Sequence, residues 1–473
     1  MATLEPMTSD EATSRVRIHR GLILSLIGIV IALYLPTVGY DFVNWDDPWY
    51  VINNPLIKSW HPANLFQIFT EVAIKNFAPL TLLSYLIEHT LWGLWPGGYH
   101  LTNVLLHAVN TALVFVLIGR LTNNRFIGWT TAALFAVHPV HIETVAWVAS
   151  RKGLLSGSFI LAAMVYRLKP KPTERDEGFF LLFLVLALVS KAIAVVVPVI
   201  VLTYDLAVRR DRPAEAIARQ LIPAFFCLCL LSITMSAQST MFGGLRSHME
   251  LSKAHILAVD SIILWKYIGL LVWPSDLCIL YDPPTSGIAG WVVLAVTGWL
   301  VVTGVVYRCR KNRPLVVLAA VTFIAFLLPV LNLFPITTLM NDRYLYLPSI
   351  PFFALTAAGV YRLSLMWKRS GERLLSPVLS RGFCIAVALC LVMTLAWRTR
   401  EHLSVWKNDF ALWEHANQHV PHLTVVQIQR ASALERKGDT DQAVAVLKSA
   451  LLNSNPDAAD RKRIFKKLAD WQR

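Results

Sequence analysis

The chain has 473 residues, of which 55% are hydrophobic and only 16% are charged, and its mean hydropathy is +0.52. A soluble domain carries about 25% charged residues, so soluble and fibrous proteins are excluded. The net charge of +14 does not indicate nucleic-acid binding. The lysines and arginines cluster in short segments between apolar runs, where the positive-inside rule places them. We therefore expect a protein whose partner is the lipid bilayer, with no nucleic acid.

Apolar stretches long enough to cross a bilayer as helices recur along the chain. The candidate spans are 21–39, 99–119, 126–148, 153–167, 178–189, 191–206, 218–236, 255–273, 288–307, 314–332, 343–363 and 381–397. Three of them lie between Arg219 and Arg308, although the basic residues at both ends predict cytoplasmic segments. One of the three is therefore expected not to cross fully. The prediction is an all-α bundle of about eleven transmembrane helices, with the N-terminus inside and the C-terminus outside.

The sequence divides into three parts. Residues 1–20 form a polar segment expected in the cytoplasm, and residues 21–397 form the membrane domain. The membrane domain contains one long external loop, 40–98, which is rich in Trp, Pro and Asn. Residues 398–473 have the composition of a soluble helical tail on the external side. We expect a multi-pass protein of a bacterial inner membrane, because the chain contains no N-x-S/T glycosylation sequon.

The tail contains a stretch with the length of one tetratricopeptide repeat, VVQIQRASALERKGDTDQAVAVLKSALLNSNPD. Small residues stand near the positions where that repeat packs its two helices, and Pro456 stands near its end. The small residues are Ala431, Gly438, Ala443 and Ala450. A generic helical hairpin is the alternative interpretation.

The six cysteines lie mostly within or beside apolar segments. Their spacing has neither the doubled pairs of a zinc site nor the pattern of a disulfide framework. We expect them to be small buried hydrophobic residues.

The strongest local signal is DFVNWDDPWYVINNP, which directly follows the first span. Asp46 and Asp47 are thereby expected at the external membrane surface. Close like charges and partial burial raise the pKa of one member of such a pair, which suits a general base. A solvated turn is the alternative, because Asp-Asp-Pro also favours a tight turn.

A second signal is HPVHIETVAWVASRKGLLS, at the external junction of the third and fourth spans. Ionisable groups at membrane depth are costly and point to function. His138, His141 and Glu143 could bind a divalent cation, Mg or Mn, or orient a carboxylate. Arg151 and Lys152 could bind a phosphate. For the histidines, hydrogen bonding at the interface is the alternative.

Two further signals lie in later segments. Lys191 interrupts a long apolar stretch, where it either extends to the interface or contacts an anionic headgroup. The stretch NLFPITTLMNDRYLYLPS contains Asp342, Arg343 and Tyr344. Asp342 and Arg343 could pair with each other, while Arg343 and Tyr344 could bind a phosphate or a sugar.

Taken in order, these motifs resemble those of the transmembrane and tetratricopeptide-repeat O-mannosyltransferases and their bacterial relatives, in the GT-C superfamily. The motifs are FVNWDDPWYVINNP, PLTLLSY, YHLTNVLLHAVN, LFAVHPVHIETVAWVASRKGLLS, SK, YDL and LLPVLNLFPITTLMNDRYLYLPS. The resemblance covers about residues 21–457 and implies a GT-C-like helical bundle. It also implies transfer of a sugar, such as mannose, from a polyprenyl-phosphate carrier to a protein Ser or Thr or another envelope acceptor.

The resemblance also implies roles for individual residues. Asp46 or Asp47 would deprotonate the acceptor hydroxyl. Glu143 and His138 would orient the acceptor or the base, or bind a metal. The leaving phosphate would be neutralised by Arg151, Lys152, Lys191 and Arg343.

The chain departs from its relatives at three motif positions. Ala78 stands where relatives often have Arg, Gly153 where an acidic residue is common, and Ala192 where Glu often follows the lysine. These departures leave the donor and the metal dependence open. Two other functions remain as alternatives, a non-catalytic membrane scaffold that binds partners through its tail and a transporter or lipid flippase.

Overall fold

A computed structural model describes residues 9–70, 77–239, 251–332, 338–367, 377–454 and 456–471. Over these residues the protein is helical and contains no strand, which confirms the predicted all-α class. Parts of the sequence predictions lie outside the described residues. They are residues 1–8 of the N-terminal segment, 71–76 of the long external loop, 240–250 and 368–376 of the membrane domain, 333–337 within the motif that contains Asp342, and 455, 472 and 473 of the tail.

Twenty α-helices follow one another along the described chain. The first sixteen are α1 Ser9–Tyr34, α2 Pro62–Thr70, α3 Pro79–Trp92, α4 Pro96–Thr122, α5 Arg125–Val137, α6 Ile142–Ala146, α7 Arg151–Arg167, α8 Glu174–Leu188, α9 Val197–Thr203, α10 Pro213–Ala218, α11 Leu221–Ser239, α12 Lys253–Val272, α13 Ala289–Cys309, α14 Pro314–Leu327, α15 Ser349–Trp367 and α16 Pro377–Leu403. The tail contains α17 Asp409–His419, α18 Thr424–Arg436, α19 Thr440–Asn453 and α20 Ala458–Trp471.

The chain is a multi-pass membrane protein. Within the described residues, eight helical segments have the length and composition to cross a membrane: His19–Gly39, Pro96–Thr122, Val148–Arg167, Ala192–Arg209, Pro213–Met235, Lys253–Val272, Ala289–Cys309 and Gly382–Trp406. Three shorter apolar helical segments are Arg125–Val137, Pro314–Val330 and Ser349–Leu363. Together with α8 they overlap the twelve predicted spans. The predicted span 126–148 is too long, because α5 ends at Val137, before Pro139, and residues 138–150 form a connecting segment. The number that cross the bilayer stays a prediction.

Helix α12 is hydrogen bonded to two connecting segments. Its Asp260 accepts a hydrogen bond from Asn332 at 2.7 Å, and two turns later the Tyr267 hydroxyl accepts one from the Asn341 backbone at 3.3 Å. Near its last turn, the Leu271 carbonyl accepts a hydrogen bond from His138 at 3.2 Å. That one of the three candidate spans between Arg219 and Arg308 does not cross fully stays a prediction.

Helix α4 forms the centre of the bundle, where it packs against α1, α5 and α7. Its polar residues are buried and form hydrogen bonds to neighbouring segments. His107 and Asn110 contact the Tyr346 hydroxyl at 2.9 and 3.0 Å, and Asn103 donates to the Trp147 carbonyl at 3.0 Å. Hydrogen bonds of this kind between side chains and neighbouring helices hold membrane helices in their packed positions.

Four connecting segments meet at one end of the bundle, and we call this end the loop face. They are residues 40–55, 138–150, 273–288 and 338–348. Hydrogen bonds join the first to the second and the second to the fourth. A further bond, from Tyr281 to Asp342, joins the third to the fourth.

The opposite end of α7 carries a different cluster of charges. Arg167 donates two hydrogen bonds to the buried carboxylate of Asp205, at 2.6 and 3.2 Å. Arg209 and Arg219 also lie within ion-pair distance of Asp205. At a rise of about 1.5 Å per residue, this network is about 24 Å from the loop-face end of α7. The motif residues on α7 and its preceding loop therefore belong to one face of the molecule only.

The tail forms a helical hairpin of α18 and α19, followed by α20. The turn between the first two helices is made by Gly438, whose φ of +91° is the left-handed conformation that glycine adopts readily. Ala431, Ala443 and Ala450 are buried between the helices. The helix–turn–helix unit predicted from the small residues is thus present, and its assignment as a tetratricopeptide repeat stays a prediction.

Candidate functional site

Asp47 is fixed in the loop after the first span. Its side chain is buried, with one carboxylate oxygen accepting from the Val43 backbone and the other from the Ala149 backbone, both at 2.9 Å. Burial raises the pKa of Asp47 to about 7 against the effect of these two hydrogen bonds, and the neighbouring charges of Asp46 and Asp409 add to the rise. Asp47 thus joins residues 40–55 to residues 138–150, the segment before α7.

Asp46 has a different environment. Its side chain is 36% exposed, and one carboxylate oxygen lies 3.7 Å from the Lys152 Nζ. Lys152 also contacts the Tyr50 hydroxyl at 3.4 Å and lies over the Tyr50 ring, 4.7 Å from its centroid. Of the two adjacent aspartates, Asp46 is therefore the one whose carboxylate faces open space beside a cation.

Buried Glu143 and half-buried Arg343 form an ion pair across the loop face. The Arg343 backbone N–H donates to one Glu143 oxygen at 2.8 Å, and the Arg343 guanidinium donates to the other oxygen. The guanidinium also lies 5.3 Å from the centroid of the Trp147 ring and 5.2 Å from that of Tyr344. Arg343 therefore pairs with Glu143 and not with its neighbour Asp342.

Lys191 lies directly after α8, close to the start of α7. A Cβ at Gly153 would be 4.0 Å from the Lys191 Nζ, so an acidic side chain there could pair with this lysine. Among the residues that the structure describes, no carboxylate lies within ion-pair distance of Lys191. Burial lowers the pKa of Lys191 to about 7, and the nearby charges of Lys152 and Arg343 add to the fall, whereas that of Glu143 opposes it. Lys152, Lys191 and Arg343 therefore form one group of cations, which we call the cation cluster.

Asp342 is buried beside the cation cluster. Its carboxylate accepts a hydrogen bond from the Tyr281 hydroxyl. Burial raises the pKa of Asp342 well above its usual range, and the nearby charge of Glu143 adds to the rise. Tyr344 contacts the Thr338 hydroxyl at 3.3 Å. Asp342 thus positions the 273–288 loop, whereas the Tyr344 ring lies against Arg343.

Arg151 is directed away from the cation cluster. Its guanidinium is fully buried and forms an ion pair with Glu88 at 2.8 Å. It also donates to the Tyr99 carbonyl at 2.8 Å and to the Asn103 side chain. These partners occupy its donors within the helices, so the structure does not place Arg151 with the other predicted phosphate ligands.

The two histidines of the second motif are buried and hydrogen bonded within the protein. His138 donates from Nε2 to the Leu271 carbonyl and accepts at Nδ1 from the Val140 backbone, at 3.2 and 3.3 Å. His141 donates from Nδ1 to the Phe135 carbonyl at 2.7 Å and contacts the Ser349 hydroxyl through Nε2. Both residues connect α5 and its following loop to other segments.

The arrangement does not fit a divalent cation at the second motif. A ligating imidazole needs a free nitrogen lone pair, whereas both His138 nitrogens are engaged. The two oxygens of Glu143 and the two of Asp47 already accept hydrogen bonds. These groups are therefore hydrogen-bonding partners within the protein, and the basic side chains of the cation cluster are the nearby groups that could bind an anionic ligand.

Sequence reasoning missed several residues of the loop face. Tyr50 and Trp147 lie against Lys152 and Arg343, Glu88 pairs with Arg151, and Tyr281 binds Asp342. Glu88 could have been found, because it is an acidic residue in an otherwise apolar helix. The aromatic residues carry no such signal in a membrane protein, where aromatic side chains are common at both interfaces.

Comparisons with known proteins confirm the predicted resemblance in sequence. The chain is 27% identical over 414 residues to the protein O-mannosyl-transferase F38B6.6 of Caenorhabditis elegans, which covers 83% of this chain and 56% of that protein. It is 24% identical over 491 residues to human protein O-mannosyl-transferase TMTC1, covering 90% and 54%. The chain thus spans about half the length of the curated relatives it matches. No protein-family model matches it.

Two solved structures are similar to this chain at 12% identity. An oligosaccharyltransferase of Archaeoglobus fulgidus, tethered to an acceptor peptide, has a TM-score of 0.49 and covers 82% of this chain and 55% of that one. ArnT from Cupriavidus metallidurans, bound to undecaprenyl phosphate, has a TM-score of 0.42 and covers 87% and 80%.

Proposed function

We propose that this protein is a membrane glycosyltransferase that takes a sugar from a polyprenyl-phosphate donor and transfers it to a hydroxyl group at the loop face. The observation that carries the proposal is the cation cluster beside Asp46. Its three basic side chains, Lys152, Lys191 and Arg343, lie near two carboxylates, Asp46 and Glu143, and Lys191 has no carboxylate partner among the described residues. An anionic phosphate bound there would stabilise the protonated form of Lys191.

The cations would act on the leaving group. Attack of the acceptor oxygen on the anomeric carbon breaks the bond from that carbon to the phosphate oxygen, and the polyprenyl phosphate leaves with an added negative charge. Preorganised cations stabilise charge that develops in a transition state, because they need no reorganisation at the moment of reaction. Lys191 is the best placed to contact the phosphate, since it lacks a carboxylate partner among the described residues.

Asp46 would accept the proton of the attacking hydroxyl. A general base needs a free oxygen within reach of the substrate, and the Asp46 carboxylate is partly exposed beside Lys152. Both oxygens of Asp47 are occupied by backbone N–H groups. Asp47 therefore acts as a positioning residue that fixes its neighbour.

The relatives suggest the sugar and the acceptor. Since those named are protein O-mannosyl-transferases, we propose mannose as the sugar and a protein Ser or Thr hydroxyl as the acceptor. The loop face would lie on the non-cytoplasmic side, together with the tail, and the N-terminus in the cytoplasm. Location in a bacterial inner membrane stays a prediction, since the relatives named here are from animals.

The test is sugar transfer by purified protein in nanodiscs. The donors are radiolabelled polyprenyl-phosphate sugars, mannose first, and the acceptors are proteins extracted from the host. Wild type is compared with Asp46→Asn, which we expect to lower kcat about 10²–10⁴-fold, the usual contribution of a general base. Lys191→Met should instead raise the KM for the donor and lower kcat together.

A matched control is Asp282→Asn, which changes a carboxylate on the same face that pairs with His422 and not with the cation cluster. It should retain wild-type activity. No transfer from any donor, together with full rescue of a deletion strain by Asp46→Asn, would overturn the proposal in favour of the non-catalytic scaffold.

A further inference from the structure

A group of metal-ligating side chains lies where the tail meets the membrane domain. Cys278 belongs to the 273–288 loop, while His415 and His419 are one turn apart on α17. One ligand atom from each of the three lies within 4.8 Å of the other two. The residues come from segments more than 130 positions apart, so their meeting results from the fold and not from a local sequence pattern.

The ligand types are those that zinc and similar ions prefer. One thiolate and two imidazoles are borderline-soft donors, with bonds of about 2.3 Å to sulfur and 2.0–2.1 Å to nitrogen around a tetrahedral ion. That geometry brings the ligand atoms to about 3.5 Å from one another. The ligand atoms of the three residues, all within 4.8 Å of one another, lie close to that arrangement.

Cys278 has a fixed position in the 273–288 loop. Its side chain is buried, and its backbone N–H donates to the Tyr281 hydroxyl at 3.2 Å. The sulfur is thereby held where the loop meets α17, within reach of the two histidines.

The histidines are also oriented as metal ligands usually are. His419 donates from Nδ1 to the His415 carbonyl at 2.9 Å, which fixes the ring and leaves Nε2 free. A hydrogen bond from the second ring nitrogen to a carbonyl is the common arrangement around metal-bound imidazole. The two rings lie 4.3 Å apart by their centroids, on the side of α17 that faces the loop.

We propose that Cys278, His415 and His419 bind one divalent ion of the zinc type, which fastens α17 to the 273–288 loop. His422 and Asp282, 2.7 Å apart, join the same two segments beside the site. The loop also carries Tyr281, which donates to Asp342 at the loop face. The metal thereby links the tail to a segment of the candidate active site, and this inference does not depend on the proposed reaction.

The test uses Co²⁺ as the probe. Full-length protein is purified in detergent under reducing conditions, freed of metal with a chelator, and titrated with Co²⁺. Wild type should bind one equivalent and show the thiolate charge-transfer band, which Zn²⁺ then removes. Cys278→Ser should lose the band, and His419→Ala should weaken binding about 10-fold or more.

The matched control is Cys229→Ser, because Cys229 is an exposed cysteine on α11 outside the group. This variant should keep the band and the affinity. A wild-type protein without the band, or a band that persists in Cys278→Ser, would overturn the site.

The fastening role has its own readout. Limited proteolysis between α16 and α18 is followed in the absence and presence of Zn²⁺. Wild type and Cys229→Ser should be cleaved more slowly with Zn²⁺, whereas Cys278→Ser should show no change. Equal protection in all three proteins would overturn the fastening role.

Discussion

Arg343 reaches both carboxylate oxygens of Glu143 across 200 residues of sequence, one through its backbone N–H and the other through its guanidinium. Glu143 is buried and Arg343 is half-buried, and the guanidinium lies 5.3 Å from the centroid of the Trp147 ring and 5.2 Å from that of Tyr344. The charge of Arg343 is thus held in one orientation by three neighbours. An arginine fixed in this way can stabilise a phosphate without rearranging.

We predict that Arg343→Gln lowers kcat by about 10²–10³-fold, the usual effect of removing one preorganised electrostatic contact. Glu143→Gln keeps the shape of the Glu143 side chain but removes its negative charge, which releases the Arg343 guanidinium from the ion pair. This variant should lower kcat less than Arg343→Gln and should shift the KM for the donor. Both are measured by steady-state transfer with the donor varied. Arg430→Gln, in the tail pair with Glu414, is the control and should leave both constants unchanged. Full activity in Arg343→Gln would remove this residue from the proposed site.

Arg151 gives a prediction that separates two roles. The sequence suggests that it binds the donor phosphate, whereas the structure pairs it with Glu88 inside the helices. Removing one partner of a buried ion pair costs about 3–5 kcal/mol of stability. Arg151→Met should therefore lower the unfolding temperature in detergent and reduce the yield of folded protein. Arg151→Met combined with Glu88→Leu should recover much of the loss.

The kinetic constants of the folded fraction complete this test. We expect the double variant to keep a donor KM close to wild type, because neither side chain contacts the cation cluster. A double variant that is stable but cannot use the donor would show instead that Arg151 is a phosphate ligand.

The tail packs on the loop that carries the two aspartates. Trp45 lies against Trp413, with ring centroids 5.3 Å apart, and Asn44 donates a hydrogen bond to Gln429 at 2.8 Å. The backbone N–H of Asn44 also donates to the Asp409 carboxylate. Trp413→Ala should leave a cavity and loosen this contact, at a cost of about 3–5 kcal/mol. We expect kcat to fall because Asp46 loses its fixed position.

Hydrogen exchange of residues 41–50 checks that explanation. The exchange should speed up in Trp413→Ala and stay unchanged in Trp471→Ala, a control at the far end of the tail. Faster exchange without a change in kcat would show that the tail does not position Asp46.

The sequence predicts the positions of the helices and the face that carries the motif residues, because apolar length and motif order are local properties. It also predicts Asp46, Lys152, Lys191 and Arg343 as members of one region. It does not predict which charges pair, since Arg151 with Glu88 and Arg343 with Glu143 depend on side-chain direction after the bundle packs. It also does not predict that Cys278 lies near His415 and His419, because these histidines are on a tail helix more than 130 residues later in the sequence.

The last prediction concerns the pH dependence of stability. Burial raises the pKa of Asp47 from its ordinary value of 3.8 to about 7. The folded protein therefore binds this proton more tightly than the unfolded chain. The resulting contribution to stability is fully present below the unfolded pKa, and it is lost as the pH rises through the folded pKa. The unfolding temperature of wild type should accordingly fall between about pH 4 and about pH 7, beyond the change that other titrating groups cause.

Asp47→Asn removes the titrating group and should show a smaller loss over the same range. Its stability should be lower at every pH, because the amide cannot accept hydrogen bonds from both the Val43 and Ala149 backbones. Asp46→Asn is the control, since its side chain is partly exposed and should leave most of the pH dependence in place. Unfolding is followed by intrinsic tryptophan fluorescence in one detergent at constant ionic strength. Equal slopes in wild type and Asp47→Asn would show that Asp47 is already ionised in the folded protein at the lower pH, and that its two backbone hydrogen bonds outweigh its burial.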